Sequence, residues 1–140
     1  MKYLLDTNIV IYSVKGQYPS LKERFMRTPA QAILIPSIVL GEIEYGARKC
    51  QYYDKTILKY RRFLDAFQFV PFSKEESRIY GVIRSNLEKE GKTIGNNDLL
   101  IAAIAMANHF TLVSHNVNEF ACVKGLLLED WTNSEKTSNK

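Results

Sequence analysis

Four oxygen-bearing side chains fall at positions where the end of a parallel sheet would gather them. Each follows a short apolar segment or lies in a segment with a helical pattern. The four residues are Asp6, Glu42, Asp98 and Asn116. Clustered carboxylates repel one another and raise one another's pKa, a cost that a divalent cation removes. Ligand sets made only of oxygen suit Mg²⁺ or Mn²⁺. We therefore expect a metal site able to polarise a phosphate and activate water.

Glu42 carries most weight among these residues, because its helix has a second glutamate for comparison. The helix is predicted to begin near Pro36-Ser37, with Ser37 as its N-cap, and its inward face should comprise Ile38, Val39, Ile43 and Gly46. Glu42 falls on that face, whereas Glu44 falls opposite, four residues before Arg48. A buried carboxylate is costly unless it is paired or binds a metal. A buried ion pair with Arg or Lys is the alternative.

The remaining candidates have simpler alternatives. Asp6, at the end of the first predicted strand, would also serve as a helix N-cap, and Asp98 as an acid at the start of a helix. Asn116 offers a neutral carbonyl ligand but also suits a turn, and Glu119, one helical turn later, is either a further acid or a solvated residue. Taken together, these alternatives would require several acids to meet at one sheet edge by accident.

Short apolar runs alternate with longer helical patterns along the chain. The predicted strands are Lys2–Leu5, Ala32–Ile35, Phe67–Val70, Thr111–Ser114 and Leu126–Leu128. Helices are predicted from Asp54 to Ala66, after a capping box at Ser73-Lys74-Glu75-Glu76, and from Asp98 onward. This alternation predicts a three-layer α/β/α domain with a parallel sheet of four or five strands, in which sites form beyond the carboxyl ends of the strands.

Composition sets broad limits on the protein class. The 140 residues are 46% hydrophobic, and we expect one domain over residues 1–131 followed by a disordered tail over 132–140. The net charge of +4 is compatible with a nucleic-acid partner without identifying one. Cys50 and Cys122 have no partner at metal-ligand spacing, and no apolar stretch is long enough to span a bilayer. The expected protein is soluble, reduced and cytoplasmic.

The sequence resembles the PIN-domain nucleases and, within them, the VapC toxins of bacterial toxin–antitoxin pairs. Five pieces match in order and cover Met1 to about Trp131. They are Leu4-Leu5-Asp6-Thr7-Asn8, the segment 37–47, Ile94-Gly95-Asn96-Asn97-Asp98 with its apolar continuation to Ala103, the segment 113–120, and Gly125-Leu126 with Glu129-Asp130-Trp131. A set of five ordered matches is far more specific than any single one.

The resemblance implies a Mg²⁺-dependent RNA endonuclease that a VapB-type antitoxin inhibits. It carries catalytic acid roles onto Asp6, Glu42 and Asp98, which would also bind the metal, and Asn116 stands where the family often has Asp. With three carboxylates, a second ion would be held less tightly. A tRNA stem-loop is the kind of substrate that the resemblance suggests.

The expected partners also include a second copy of the chain, in a homodimer formed through helical surfaces. Aromatic and basic residues are interleaved in the second and third helical regions and would suit protein anchors or RNA, although the tyrosines would also suit internal packing. They are Tyr45, Tyr52, Tyr53 and Tyr60, with Arg48, Lys49 and Lys55.

Competing enzyme classes lack their defining residues. A haloacid-dehalogenase-type phosphatase needs a second Asp where Asn8 stands, and a receiver domain needs a Lys that Ser114-His115-Asn116 does not supply. There is no nucleophile elbow and no phosphate-cradling glycine loop. A non-enzymatic nucleic-acid-binding module with the same fold remains the main rival, and a metal titration with a hydrolysis assay separates the two.

Overall fold

A five-stranded, all-parallel sheet forms the centre of the computed structural model, which describes residues 1–133. The strands are β1 (Tyr3–Leu5), β2 (Ile33–Pro36), β3 (Gln68–Val70), β4 (Thr111–Val113) and β5 (Leu128–Glu129), in the spatial order β3-β2-β1-β4-β5. Leu4 lies at the centre, opposite Leu34 of β2 and Leu112 of β4. The predicted parallel sheet is confirmed. Its last strand begins later than predicted.

Seven α-helices connect and follow the strands within the described residues. They are α1 (Thr7–Lys15), α2 (Pro19–Arg27), α3 (Ser37–Arg48), α4 (Tyr53–Leu64), α5 (Lys74–Lys89), α6 (Asn96–Ala107) and α7 (Val117–Phe120), and a 3-10 turn spans Ala30–Ala32. The two halves of the sheet extend in opposite directions, so right-handed crossovers place helices on both faces. This is the predicted three-layer α/β/α arrangement.

The strand order reverses between β1 and β4. From β1 the chain moves outward to β2 and β3, then returns to the other side of β1 to form β4 and β5. Parallel sheets leave a crevice beyond the carboxyl ends of their strands at such a reversal. Asp6 follows β1 and Ser114 follows β4, and the Asp6 amide donates to the Val113 carbonyl oxygen at 3.0 Å. The topology therefore places both side chains at this crevice.

The core is built from the apolar residues of the sheet and of α6. Leu4 and Leu5 are completely buried, as is the stretch of α6 from Ile101 to Ala105. The capping box at the start of α5 is confirmed, with the Ser73 amide donating to Glu76 Oε1 at 3.0 Å.

Three helix starts differ from prediction. Helix α4 begins at Tyr53 rather than Asp54, and it ends at Leu64 rather than Ala66. Helix α6 begins at Asn96, so that Asp98 is its third residue, and α3 has Pro36 rather than Ser37 as its N-cap. Proline fits at these positions because its fixed φ suits the chain entering a helix and its missing N–H costs nothing there.

The C-terminal end of the described chain packs against the domain. Thr132 is buried, and its hydroxyl donates to Asp130 Oδ1 at 2.6 Å. The remainder of the predicted tail, residues 134–140, lies outside the described residues. Within residues 1–133, no helix has the length and apolar character needed to cross a membrane. Both cysteines are free thiols.

Candidate active site

Asp6 is the most deeply placed of the candidate acids, with only 4% of its surface exposed. It occupies the N-cap position of α1, and the fully buried Ser114 hydroxyl donates to Asp6 Oδ2 at 2.6 Å. Burial raises the pKa of Asp6, and the Ser114 hydrogen bond opposes that rise. The backbone amides of Asn8 and Thr7 at the start of α1 also help to lower this pKa. The bond between the ends of β1 and β4 fixes the carboxylate at the crevice.

Glu42 is half-buried, and neutral donors from two other elements hold it. The Thr7 hydroxyl donates to Oε1, and the Asn97 side-chain amide donates to Oε2 at 2.9 Å. Among residues 1–133, no Arg or Lys forms an ion pair with Glu42, so the alternative of a buried ion pair is not realised there. The helical wheel placed Glu42 on the correct side of α3. It was wrong about Gly46, which is exposed, and Ala47 is buried in the inward position that was predicted for Gly46. Three elements therefore meet at this carboxylate.

Glu44 lies on the other side of α3, as the wheel predicted. It pairs with Arg48 at 3.2 Å, and it also accepts a hydrogen bond from Tyr53 of α4. The Tyr53 hydrogen bond, followed by the charge of Arg48, lowers the pKa of Glu44. Glu44 therefore serves the contact between α3 and α4.

Asp98 has a strongly raised pKa. Its pKa rises from 3.8 to about 7, first because of burial, then because of its hydrogen bond to Glu119 and the negative charges of Asp6, Glu119 and Glu42. The hydrogen bond from Asp98 lowers the pKa of Glu119, which also accepts from the Gly95 amide at 3.3 Å. The two carboxyl groups therefore share a proton near neutral pH, with Asp98 as the donor. Glu119 takes part in the cluster rather than facing solvent alone.

Asn116 sits at the rim of the cluster and is exposed. It is the N-cap residue of α7, and its backbone amide donates to Ser114 Oγ at 2.9 Å. Its side chain hydrogen-bonds Glu119 and helps to lower the pKa of that carboxyl group. Asn116 is thus linked to Asp6 through Ser114 and to Asp98 through Glu119.

The donor set suits a hard cation in its chemistry. All of the clustered groups offer oxygen, and their negative charges raise the pKa of Asp98, as expected for carboxylates whose repulsion a bound ion would relieve. Within residues 1–133, however, no three acidic, histidine or cysteine side chains are arranged to hold one ion. Asp98 is hydrogen-bonded to Glu119, and Glu42 accepts hydrogen bonds from Thr7 and Asn97. The possible metal ligands are therefore neighbours whose oxygen atoms do not converge on one point.

Comparison with known proteins decides the family. A profile described as PIN domain matches residues 3–126. Ribonuclease VapC2 of Rickettsia felis is 39% identical over 132 residues, which cover 94% of this chain and 98% of that protein. The chain belongs to the VapC family of PIN-domain ribonucleases. Another VapC relative, the tRNA(fMet)-specific endonuclease VapC of Shigella flexneri, is 32% identical and covers 94% of this chain and 99% of that protein.

Solved structures of VapC relatives share the fold closely. VapBC2 from Rickettsia felis, bound to a DNA fragment from its promoter, matches with a TM-score of 0.88 and 38% identity over 94% of this chain and 99% of that one. VapBC-1 from nontypeable Haemophilus influenzae matches with a TM-score of 0.87 and 33% identity, covering 95% of this chain and all of that one. Both relatives were solved as toxin–antitoxin complexes.

The tyrosines that the sequence grouped together have different environments in this VapC homologue. Tyr45 and Tyr52 are about two-thirds exposed, at 66% and 65%, whereas Tyr60 is buried in the core. Tyr53 bridges to Glu44, and Arg48 lies over its ring at 3.8 Å. Tyr45 and Tyr52 are the members of this group with substantial surface available to a partner.

Proposed function

We propose that this VapC homologue is a Mg²⁺-dependent RNA endonuclease that acts as the toxin of a toxin–antitoxin pair. The observation that carries the proposal is the proximity of Asp6, Glu42 and Asp98 near the reversal point of the sheet, where burial, the Glu119 hydrogen bond and the charges of Asp6, Glu119 and Glu42 together raise the pKa of Asp98 to about 7. Such a cluster has a clear use where a cation binds and little use in a protein that only binds nucleic acid. Membership of a ribonuclease family supplies the reaction class.

Asp6, Asp98 and Glu42 would hold the ion, with Mn²⁺ as a substitute for Mg²⁺. When bound, the ion would neutralise the carboxylates and polarise the scissile phosphate. Asp6 supplies a preorganised oxygen, because the hydrogen bond from Ser114 holds the buried Asp6 carboxylate in place. Asp98 must release the proton that it shares with Glu119 before it can act as an anionic ligand.

Glu42 and Asn116 complete the proposed mechanism. Glu42 would hold the ion or would orient the attacking water and accept a proton from it, and Thr7 and Asn97 restrict the motion of its carboxylate. Asn116 would position Glu119 and water at the rim. The water oxygen would bond to phosphorus as the P–O bond to the leaving ribose breaks, and that ribose oxygen would take a proton from solvent water.

The proposed substrate is a structured RNA such as a tRNA, whose cleavage would inhibit translation in the cytoplasm. Two curated relatives are described as tRNA(fMet)-specific endonucleases, and they are 32% and 29% identical to this chain. Other curated relatives are described only as ribonucleases. The net charge of +4 favours association with a polyanion.

A VapB-type antitoxin is the proposed inhibitor. A groove of about 540 Å³ runs between α1, α3 and α4 and reaches Glu42, and its walls include Ile11, Val14, Ile43 and Ala47. An antitoxin segment could lay an apolar face in this groove and place an Arg or another basic group beside Glu42. We also propose a homodimer formed through helical surfaces, which light scattering of the purified chain would test.

Cleavage of a labelled RNA mixture by the purified chain tests the proposed activity. We expect cleavage with Mg²⁺, none with EDTA, and recovery when Mn²⁺ is added. Sequencing of RNA ends after induction in cells would identify the target. If the purified chain cleaved RNA but induction left growth and translation unchanged, the toxin role would be wrong and a housekeeping nuclease would replace it.

A further inference from the structure

Three aromatic rings form a cluster that includes His115, the chain neighbour of both Ser114 and Asn116. Tyr12 of α1, Tyr18 at the start of α2 and His115 after β4 contact one another, with ring centroids 5.0 Å apart for the tyrosine pair, 5.4 Å for Tyr18 and His115, and 6.1 Å for Tyr12 and His115. Below, they are called the aromatic shelf. The acidic cluster and its hydrogen bonds account for none of these rings.

Two members of the shelf lie on the same backbone segments as residues of the candidate site. His115 lies between Ser114, which donates to Asp6, and Asn116, whose amide donates to Ser114. Tyr12 follows Asp6 by six residues along α1, or about 9 Å of helix. A polymer whose phosphate reached Asp6 would therefore have its next nucleotides within reach of the shelf.

The shelf is held rigidly yet remains open. The Asp130 carboxylate, itself only 10% exposed, lies 3.0 Å from His115 Nδ1, while 42% of the His115 side chain is exposed. Tyr18 is 37% exposed and sits at φ 59°, a conformation that bulky residues rarely adopt. Strained backbone of this kind collects at ligand-contacting positions. Tyr12 is half-buried and supports the other two rings.

We propose that the aromatic shelf stacks an unpaired RNA base next to the scissile phosphate, with Tyr18 and His115 as the contacting rings and Tyr12 as their support. Single-stranded RNA is recognised mainly by stacking of its bases on aromatic and histidine side chains, and rigid, exposed rings beside a phosphate-binding site meet that requirement. This inference rests on the proposed RNA substrate. It adds a subsite that selects for an unpaired nucleotide.

Fluorescence of a single-stranded RNA oligonucleotide carrying 2-aminopurine tests the shelf, because stacking quenches this base. The titration uses the full chain with Asp98→Asn, which prevents turnover, so binding is measured whether or not the chain cleaves RNA. We expect quenching on binding, and about 10-fold weaker affinity with the quenching lost when either Tyr18→Leu or His115→Leu is added, in keeping with the loss of one stacked base.

Three controls separate stacking from loss of structure. Tyr18→Phe keeps a ring and should retain quenching. Tyr18→Gly relieves the positive φ, so it should keep the melting temperature and still lose quenching. Tyr80→Leu removes a half-buried ring of α5 that packs on Phe72 at 6.0 Å, and it should leave RNA binding unchanged.

Unchanged affinity and quenching in both Tyr18→Leu and Tyr18→Gly would overturn the inference, as would the absence of quenching in the parent. The proposed nuclease fails on a different result, which is the absence of RNA cleavage by the chain with Asp98 intact in Mg²⁺.

Discussion

Replacing Asp98 with asparagine should stabilise the metal-free protein at pH 8 and have a smaller stabilising effect at pH 5. The folded pKa of about 7 lies above the reference value of 3.8, so the folded chain binds a proton that the unfolded chain has released. Stability contributed by this proton is fully present below about pH 4 and is lost as the pH rises through about 7. Asparagine removes the charge, and its amide can still donate to Glu119.

The size of the effect follows from the shift. A rise from 3.8 to about 7 is about three pH units, or about 4 kcal/mol at 1.36 kcal/mol per unit. Asp98 is only half-buried, so screening by water reduces this to about 1–2 kcal/mol at pH 8. At pH 5 the folded parent holds this proton but the unfolded chain has mostly released it, so by the same linkage the difference should fall to about two-fifths of its value at pH 8, or about 0.4–0.8 kcal/mol.

Urea unfolding in EDTA at both pH values measures this difference. The variant should lose RNA cleavage while gaining stability, and Mg²⁺ should stabilise the parent more than the variant. A variant less stable than the parent at pH 8, or a stability difference equal at pH 5 and pH 8, would refute the charge-cluster reasoning.

Three further substitutions test neighbouring parts of the site. Glu42→Gln should abolish cleavage while preserving the fold. Glu44→Gln is its matched control on α3 and should retain cleavage, because Glu44 binds Arg48 and Tyr53 instead. Equal activity of the two variants in an RNA cleavage assay would contradict the assignment. Ser114→Ala should lower the free energy of unfolding by about 2 kcal/mol, since a buried carboxylate loses a charge-assisted bond, and an unchanged urea midpoint would count against that bond. Asn116→Asp should strengthen Mg²⁺ binding, measured by calorimetry, if residue 116 faces the ion; weaker binding would place Asn116 outside the metal's reach.

The sheet and the grouping of the acids were predictable because both follow from short-range patterns. Apolar runs ending in polar residues marked the strands, and their parallel arrangement required Asp6 and Ser114 to share an edge. The helical wheel separated Glu42 from Glu44. The start of α6 was misplaced because Asn96 and Asn97 have the side chains of turn residues, while their backbone is helical.

Contacts between distant segments were less accessible to sequence reasoning. The hydrogen bond from Asn97 to Glu42 and the Asp98–Glu119 pair depend on how α3, α6 and α7 converge, which no periodicity encodes. The aromatic shelf joins Tyr12, Tyr18 and His115 from three elements, so its members are unremarkable in the sequence. For Glu119, the one available signal was its position one turn after Asn116.

The most direct test of the central claim is RNA cleavage by the purified chain in water labelled with ¹⁸O, with Mg²⁺ or with EDTA, followed by mass analysis of the product ends. Hydrolysis at the acidic cluster predicts cleavage only with Mg²⁺, with one ¹⁸O atom in the product phosphate and no cyclic phosphate. Full cleavage in EDTA, giving an unlabelled 2′,3′-cyclic phosphate, would contradict it, because the RNA 2′-hydroxyl would then be the attacking group.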